Sequence, residues 1–335
     1  MHNNTLLITG GCGFIGTSLV EHLLNDNPSR SIRILDNFSH GSPKDLEEVA
    51  DFETATDKSC GRYKGIVIIE GDIRDQNTVM RCTKGVAGIV HLAANTGVGP
   101  SVEDPRLDME CNVVGTFNLL EAARLNDVKR FVFASSGAPV GEVDPPIHEE
   151  LAPHPVSPYG ASKLAGEGYC SAYSRTFGIH TVCLRFGNVY GPRSKKKSSV
   201  VAKFIRQALS GQTCEIYGDG NQTRDFIYIS DLVQAIALAL KYENGGEIFQ
   251  IATGMERTVL EVAQLISNEL HKNTGVQMKL SHGLERTGDV RRNFSDTTKA
   301  QNLLGWKPNT NIEEGISATI DYFQKLTLTK KEAVQ

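Results

Sequence analysis

A tyrosine and a lysine four residues apart can act as one acid–base device, and the chain carries such a pair at Tyr159 and Lys163. On a helix, positions i and i+4 share a face, so both side chains would point the same way. A free phenol titrates near pH 10. A neighbouring ammonium stabilises the phenolate and lowers that value, so a tyrosine held this way can serve as general base or acid near neutrality. Alone, a Y-x-x-x-K spacing is more readily a surface pair on an amphipathic helix. A third group gives it meaning. The apolar run Phe131-Val132-Phe133-Ala134 ends in Ser135-Ser136, and ligands of open α/β sheets bind beyond the carboxyl ends of strands. Ser136 is the candidate for holding a substrate hydroxyl together with the tyrosine, with Ser135 as second choice.

The chemistry that such a tyrosine could serve is suggested near the N-terminus. Leu6 to Ile8 reads as a short buried strand. A glycine cluster follows, and then Phe14, Ile15, Leu19, Val20, Leu23 and Leu24 recur at helical spacing. Gly10, Gly13 and Gly16 lie in the tight turn, as does the alternative triplet Gly11, Gly13 and Gly16. Glycines let backbone N–H groups approach a pyrophosphate, and the helix start offers orphan N–H groups and the positive end of its dipole. A second apolar run, Ile32 to Leu35, ends in Asp36, about 20 residues beyond the loop, where an acid binds ribose hydroxyls. An acid there repels a 2′-phosphate, so the expected cofactor is NAD.

These groups need a scaffold, and the alternation of segments supplies one. Strands are expected at 5–9, 31–35, 66–70, 88–92, 130–135 and 180–185, with helices at 14–25, 75–84, 107–126 and 158–177. That order implies an α/β fold, a doubly wound parallel (Rossmann) sheet. Residues 37–65 read as a polar surface excursion with one short helical piece near Leu46–Val49. Beyond residue 186 the regularity loosens. Helices are expected at 199–210, 230–241, 258–270 and 313–325, and strands at 213–217, 247–251 and 276–280. The division is a cofactor domain over 1–186 and a smaller C-terminal α/β substrate lobe over 187–330, with chain exchange between lobes around 225–255.

Bulk composition excludes some functions. The chain has 335 residues and a formal net charge of −4, which gives no electrostatic case for nucleic acid or a membrane surface. The run Lys195-Lys196-Lys197 reads as a solvated loop. Seven scattered cysteines form no C-x-x-C pair, so neither zinc nor a disulfide framework is implied, and reduced thiols in a cytoplasmic protein are expected. Cys12 sits at a helix N-terminus that could acidify its thiol, but reads as a small filler. A charged leader before a long apolar stretch is not expected from the first residues, and no apolar window reaches membrane-spanning length.

With these motifs in place the chain resembles the extended short-chain dehydrogenase/reductases, and within them the nucleotide-sugar epimerases and dehydratases. It is most like the UDP-glucose and UDP-N-acetylglucosamine 4-epimerases. The resemblance covers nearly the whole chain. It implies a cofactor site made by Gly10, Gly13, Phe14, Ile15, Gly16, Asp36, Asn37, Asp72, Ile73, Leu92, Ala93, Ala94 and Asn112, together with Tyr159 and Lys163. It also implies a catalytic set of Ser136, Tyr159 and Lys163. For the nucleotide sugar it implies Ser135, Ser136, Asn188, Tyr217, Arg224, Arg286, Asp289 and Asn293. The two arginines would clamp a diphosphate through charge-assisted hydrogen bonds. Homodimers built by pairing segments 107–126 and 158–177 are a further implication.

In the mechanism that the resemblance implies, Tyr159 takes the proton of the sugar 4-hydroxyl while hydride leaves C4 for NAD+, giving a 4-keto sugar. Dehydratases resemble one another in an Asp-Glu pair just after the serine, and the decarboxylase branch has a glutamate there. Here the place holds Gly137-Ala138, so the implied reaction is 4-epimerisation of a UDP-hexose or UDP-N-acetylhexosamine. Asn293 stands where a bulky tyrosine resembles forms restricted to plain hexoses, so room for an N-acetyl group is expected. The chain departs from the family in reading Pro139-Val140-Gly141 where V-Y-G is usual. Rival readings are a 4,6-dehydratase, a 4-ketoreductase or a 2-epimerase on the same scaffold, and a non-catalytic NAD-binding sensor.

Overall fold

The computed structural model describes residues 5–55, 64–285 and 290–332. The strands, in chain order, are β1 (Leu6–Thr9), β2 (Ile32–Asp36), β3 (Glu53–Ala55), β4 (Ile66–Glu70), β5 (Gly88–His91), β6 (Arg130–Ser136), β7 (His180–Phe186), β8 (Asn188–Tyr190), β9 (Thr213–Tyr217), β10 (Thr223–Arg224), β11 (Phe226–Tyr228), β12 (Glu247–Ile251), β13 (Arg257–Thr258) and β14 (Lys279–Gly283). Eight of them form one sheet in the order β12-β7-β6-β5-β1-β2-β4-β3. Every pairing in it is parallel. Parallel sheets carry helices on both faces, so their strands read as unbroken apolar runs, and β1 and β4 are buried accordingly.

The helices are α1 (Phe14–Asp26), α2 (Pro43–Glu47), α3 (Gln76–Cys82), α4 (Val98–Glu103), α5 (Pro105–Met109), α6 (Gly115–Leu125), α7 (Pro158–Phe177), α8 (Val200–Leu209), α9 (Ile229–Ala239), α10 (Val259–Thr274) and α11 (Ile312–Glu332). Local signals set the ends of α7. Ser157 accepts a hydrogen bond from Gly160 N at 3.1 Å, Pro158 opens the first turn, and Gly178 ends the helix in the left-handed region. This places Tyr159 in the first turn and Lys163 one turn on.

Two apolar clusters lie on the two faces of the sheet, one containing Leu19, Ile34 and Phe249, the other Leu7, Val67 and Phe131. A third, with Phe204, Ile266 and Ile320, joins α8, α10 and α11 into the smaller lobe. The pairs β9–β14, β8–β11 and β10–β13 belong to this region. After β11 the chain returns to the large sheet: β12 pairs with β7, and α9 packs beside α1.

Three expectations are corrected. The excursion after β2 contributes a strand, β3, to the sheet edge through its pairing with β4. The helix expected over 107–126 has unbroken helical backbone but changes pitch at a π-turn, Glu110–Val114, between α5 and α6. The lysine run is a fastening and no free loop. Lys195 Nζ pairs with Asp45 at 2.9 Å and with Glu48, and Lys196 donates to the His40 carbonyl at 2.6 Å. These contacts tie the loop after β8 to α2.

Candidate active site

β1 pairs with β2 on one side and with β5 on the other, and connections leave it in both directions. Strand order therefore reverses there, which opens a crevice at the carboxyl ends. The glycine loop follows β1, and Leu92-Ala93-Ala94 follow β5, so both rims of the crevice carry predicted cofactor residues. Gly10 has φ +68°, and a Cβ on it would stand 2.8 Å from Ala93 N. A Cβ on Gly16 would stand 2.5 Å from Gly10 O. Only hydrogen fits at either place, and the loop closes tightly against the start of α1. Asp36, at the end of β2, accepts hydrogen bonds from Cys12 N and Phe38 N, both at 2.9 Å. Burial pushes its carboxyl above the usual range, and these two N–H groups oppose that shift. Cys12 is fully buried and its thiol is pushed well up by desolvation, with Asp36 adding to the effect. Burial thus outweighs the helix end, and the thiol is inert filler.

The adenine-edge segment is fixed in the same way. Asn37 Nδ2 donates to Asp72 at 3.1 Å, and Arg74 forms a forked pair with Asp72 at 3.0 and 2.9 Å. Ile73 packs against Gly115, where a Cβ would meet its Cδ1 at 2.5 Å. His91, at the end of β5, is pinned between Thr9 (2.8 Å) and Thr116 (3.0 Å). Burial lowers its pKa to about 3, with the Lys163 charge adding, so it stays neutral.

Inside the crevice the catalytic candidates converge. Lys163 is buried. Its Nζ donates to Ala134 O at 2.9 Å and lies 4.9 Å from the Phe133 ring centre and 5.9 Å from that of Tyr159. Ser136 lies near enough to Tyr159 to act on its phenol, and its hydroxyl accepts from Ala138 N at 3.2 Å. The expected lowering of the Tyr159 pKa does not occur in the protein alone. Burial pushes the phenol up to about 12, the Ser136 side chain opposes this, and Asp108 adds to it. Burial also brings Lys163 down to about 8, against the pull of Asp108 and Glu167.

Ser135 is placed elsewhere, which corrects its assignment to the substrate. Neighbouring strand residues face opposite sides of a sheet. The Ser135 hydroxyl donates to Glu167 at 2.6 Å, and Glu167 forms a forked pair with Arg185, both bonds 2.8 Å. The hydroxyl is committed to that buried ion pair. Val140, which replaces the usual family tyrosine, is fully buried, and its carbonyl accepts from His154 N at 3.2 Å.

The π-turn supplies a network that sequence patterns did not show. Asn112 accepts from Asn95 N at 2.9 Å and donates to Asn95 O (2.9 Å), Asp108 (2.9 Å) and Ser162 (3.1 Å). Ser162 in turn donates to the Tyr159 carbonyl at 3.1 Å. Asn112 therefore braces the crevice rim against α7. Asp108 is buried, and burial raises its pKa, with Ser162 and the Lys163 charge opposing. The i, i+4 spacing of Asp108 and Asn112 was the available clue.

On the lobe side, β8 starts at Asn188, whose N–H donates to Asp225 O at 2.7 Å. Tyr217 is 39% exposed, with Lys203 Nζ 5.0 Å above its ring. Arg224 donates to Thr223 O (2.6 Å) and Val290 O (2.7 Å). Asn293 lies across from the serine end of β6: a Cβ on Gly137 would stand 3.9 Å from its Nδ2. Arg286 and Asp289 lie outside the described residues. Asp225 was not anticipated as a hub. It is buried and accepts from Thr253 N (2.7 Å), Thr253 Oγ1 (2.5 Å), Gly254 N (2.9 Å) and Ser295 N (3.3 Å), locking the lobe strands to the end of β12.

The model of the NAD dependent epimerase/dehydratase family matches residues 6–252. The chain belongs to that family. It is 38% identical over 324 residues to a putative UDP-glucose 4-epimerase of Methanocaldococcus jannaschii, covering 95% of this chain and 98% of that protein. Among solved structures, the UDP-glucose 4-epimerase of Thermotoga maritima with UDP-glucose is 34% identical, with a TM-score of 0.86, covering 96% of this chain and 99% of the other. The Thermus thermophilus UDP-glucose 4-epimerase in complex with NAD is 35% identical, with a TM-score of 0.83 and coverage of 96% and 99%. These likenesses place the family member within the nucleotide-sugar epimerase group of the extended short-chain dehydrogenase/reductases. NAD is its cofactor. The residues fit that group: the glycine loop is a cradle that a Cβ would fill, and Asp36 lies directly beneath it. No helix among the described residues is long and apolar enough to cross a membrane.

Proposed function

We propose that the protein interconverts C4 epimers of a UDP-linked hexose or N-acetylhexosamine without net redox change. The observation that carries this reading is that Ser136, beside Tyr159, is followed by Gly137 and Ala138, positions that offer no carboxyl group to expel water from C5 and C6. NAD+, when bound at the glycine loop, would supply an acceptor, and later a donor, for the C4 hydride.

The remaining work falls to side chains of this chain. Tyr159 removes the 4-hydroxyl proton as hydride leaves C4 and returns a proton to the 4-oxygen on the reverse step. Ser136 holds both the sugar oxygen and the phenol. Lys163 supplies positive charge beside the phenolate that forms, which offsets the burial that keeps the resting phenol protonated. Asn188, Tyr217 and Arg224, with Arg286 and Asp289, hold the nucleotide. The small polar Asn293 opposite Gly137 leaves space for a 2-acetamido group. The active unit is proposed to be a homodimer paired through segments 107–126 and 158–177, where Leu107, Met109, Val114, Phe117 and Tyr169 are 37–42% exposed.

The test is incubation with a panel of UDP-sugars, no reductant added, followed by proton NMR. Interconversion of 4-epimers, including the GlcNAc/GalNAc pair, is expected. A 4-keto-6-deoxy product would assign the dehydratase reaction instead. Turnover only with stoichiometric NAD(P)H would assign a reductase.

A further inference from the structure

Lys197 closes the loop that follows β8, and it differs from the two lysines before it. Lys195 is paired with Asp45 and Glu48, and Lys196 is bound to the His40 carbonyl. The Lys197 side chain is half-buried, and its Nζ lies 5.6 Å from the centre of the Phe14 ring. Its one hydrogen-bond acceptor among the described residues is the Val189 carbonyl, at 3.4 Å, beyond the usual range for such a bond. No carboxylate pairs with it there. Desolvation alone brings its pKa down to about 8, as expected for an ammonium that has lost water and gained no counter-ion.

Its two neighbours say what the missing partner is. Phe14 is the first residue of α1, and its turn presents the loop N–H groups that receive a pyrophosphate. Val189 is the residue after Asn188, on the strand that enters the substrate lobe. The ammonium thus stands between the cofactor loop and the substrate strand. We propose that Lys197 is an anion-binding residue of this cleft, which takes a pyrophosphate oxygen of a bound nucleotide as its counter-ion. Two sources share that chemistry: the dinucleotide and the nucleotide sugar. The second rests on the function proposed above; the first rests only on the NAD cofactor of the family.

The experiment compares the full chain, freed of nucleotide, with Lys197→Met and Lys197→Arg by isothermal titration calorimetry. The probes are ADP against adenosine, and UDP against uridine. Loss of a charge-assisted hydrogen bond lowers affinity about ten- to a hundredfold. Lys197→Met is expected to weaken a diphosphate probe by at least about tenfold and leave the matching nucleoside unchanged. Lys197→Arg is expected to stay within about threefold of the parent. A selective loss for ADP assigns the cofactor pyrophosphate, and one for UDP the substrate pyrophosphate. Equal losses for diphosphate and nucleoside, or no loss for either diphosphate, would overturn the proposal. If the parent fails to bind UDP at all, the nucleotide-sugar reading falls while the ADP comparison still tests Lys197.

Discussion

Replacing Gly16 with alanine tests the cofactor cradle by size alone. The added Cβ would lie 2.5 Å from Gly10 O and 2.5 Å from Gly11 Cα, where ordinary contact begins at 3.4 Å. The shortfall is about 0.9 Å, and both neighbours are backbone, so the loop itself must open. Overpacking of this kind costs about 1–3 kcal/mol. At about 2.1 cal/mol/K per residue over 335 residues, that is a fall in Tm of roughly 1–4 °C. Opening also misplaces N–H groups aimed at a pyrophosphate, worth about 1.5–3 kcal/mol each, so the Kd for NAD should rise about ten- to a hundredfold. Gly13→Ala is the comparison. Its Cβ would meet Gly10 O at 3.3 Å, and Gly13 has φ −80°, so the loop should tolerate it without a nucleotide. Gly13→Ala should therefore melt within about 1 °C of the parent yet still weaken NAD, because its Cβ occupies the face the pyrophosphate approaches. Thermal melts of nucleotide-free protein and calorimetric NAD titrations read both quantities. A Gly16→Ala protein with unchanged Tm and NAD affinity within twofold would show that the loop does not close as described.

Tyr159→Phe should lower kcat about 10²- to 10⁴-fold while NAD affinity stays within about threefold, measured by NMR turnover and calorimetry; unchanged turnover would remove Tyr159 from the chemistry. His91 is held neutral down to about pH 3, against 6.5 for a free imidazole. Between those values the unfolded chain binds a proton that the native one refuses, so the His91 contribution to stability is intact above pH 6.5 and is lost on acidification. Urea unfolding of His91→Gln at pH 7.5, 6 and 5 should show a slope shallower by up to about one proton, and an identical slope would refute the assignment. Phe117→Asp, which places a charge beside Tyr169 (ring centres 5.6 Å apart), should convert a dimer to monomers in light scattering after gel filtration. A parent that is itself monomeric would refute the proposed pairing.

Much of the scaffold was legible because it follows strong local rules. The apolar runs of β1, β4 and β6, and the Ser157–Pro158 start and Gly178 stop of α7, leave few alternatives. The glycine loop, Asp36, Tyr159 and Lys163 sit at the ends of those elements, so their convergence followed from topology. What was missed depends on partners distant in sequence. β3 arises from Glu53-Thr54-Ala55, which has no apolar period and is a strand only because β4 offers a free edge. Ser135 was misassigned although strand alternation alone separates it from Ser136; the buried Glu167–Arg185 pair that claims its hydroxyl comes from α7 and β7. The Tyr159 shift was misjudged because sequence shows the neighbouring charge and conceals the burial. The lysine run looked solvated because charge identity does not reveal Asp45 and Glu48, about 150 residues away.

A π-turn contains one residue more than the α-turn it replaces. At 3.6 residues per turn, a shift of one position is a rotation of about 100°. The segment Glu110–Val114 therefore sets the angular phase between α5 and α6. Asp108 and Asn112 meet Ser162 on the inner side, while Phe117, five residues on, meets Tyr169 on the outer one. Substituting Cys111 leaves that phase alone, whereas deleting it would wind the turn back to regular pitch and swing one group away from its partner. Chain length at this point, more than residue type, keeps the inner and outer surfaces of the helix facing where each is needed.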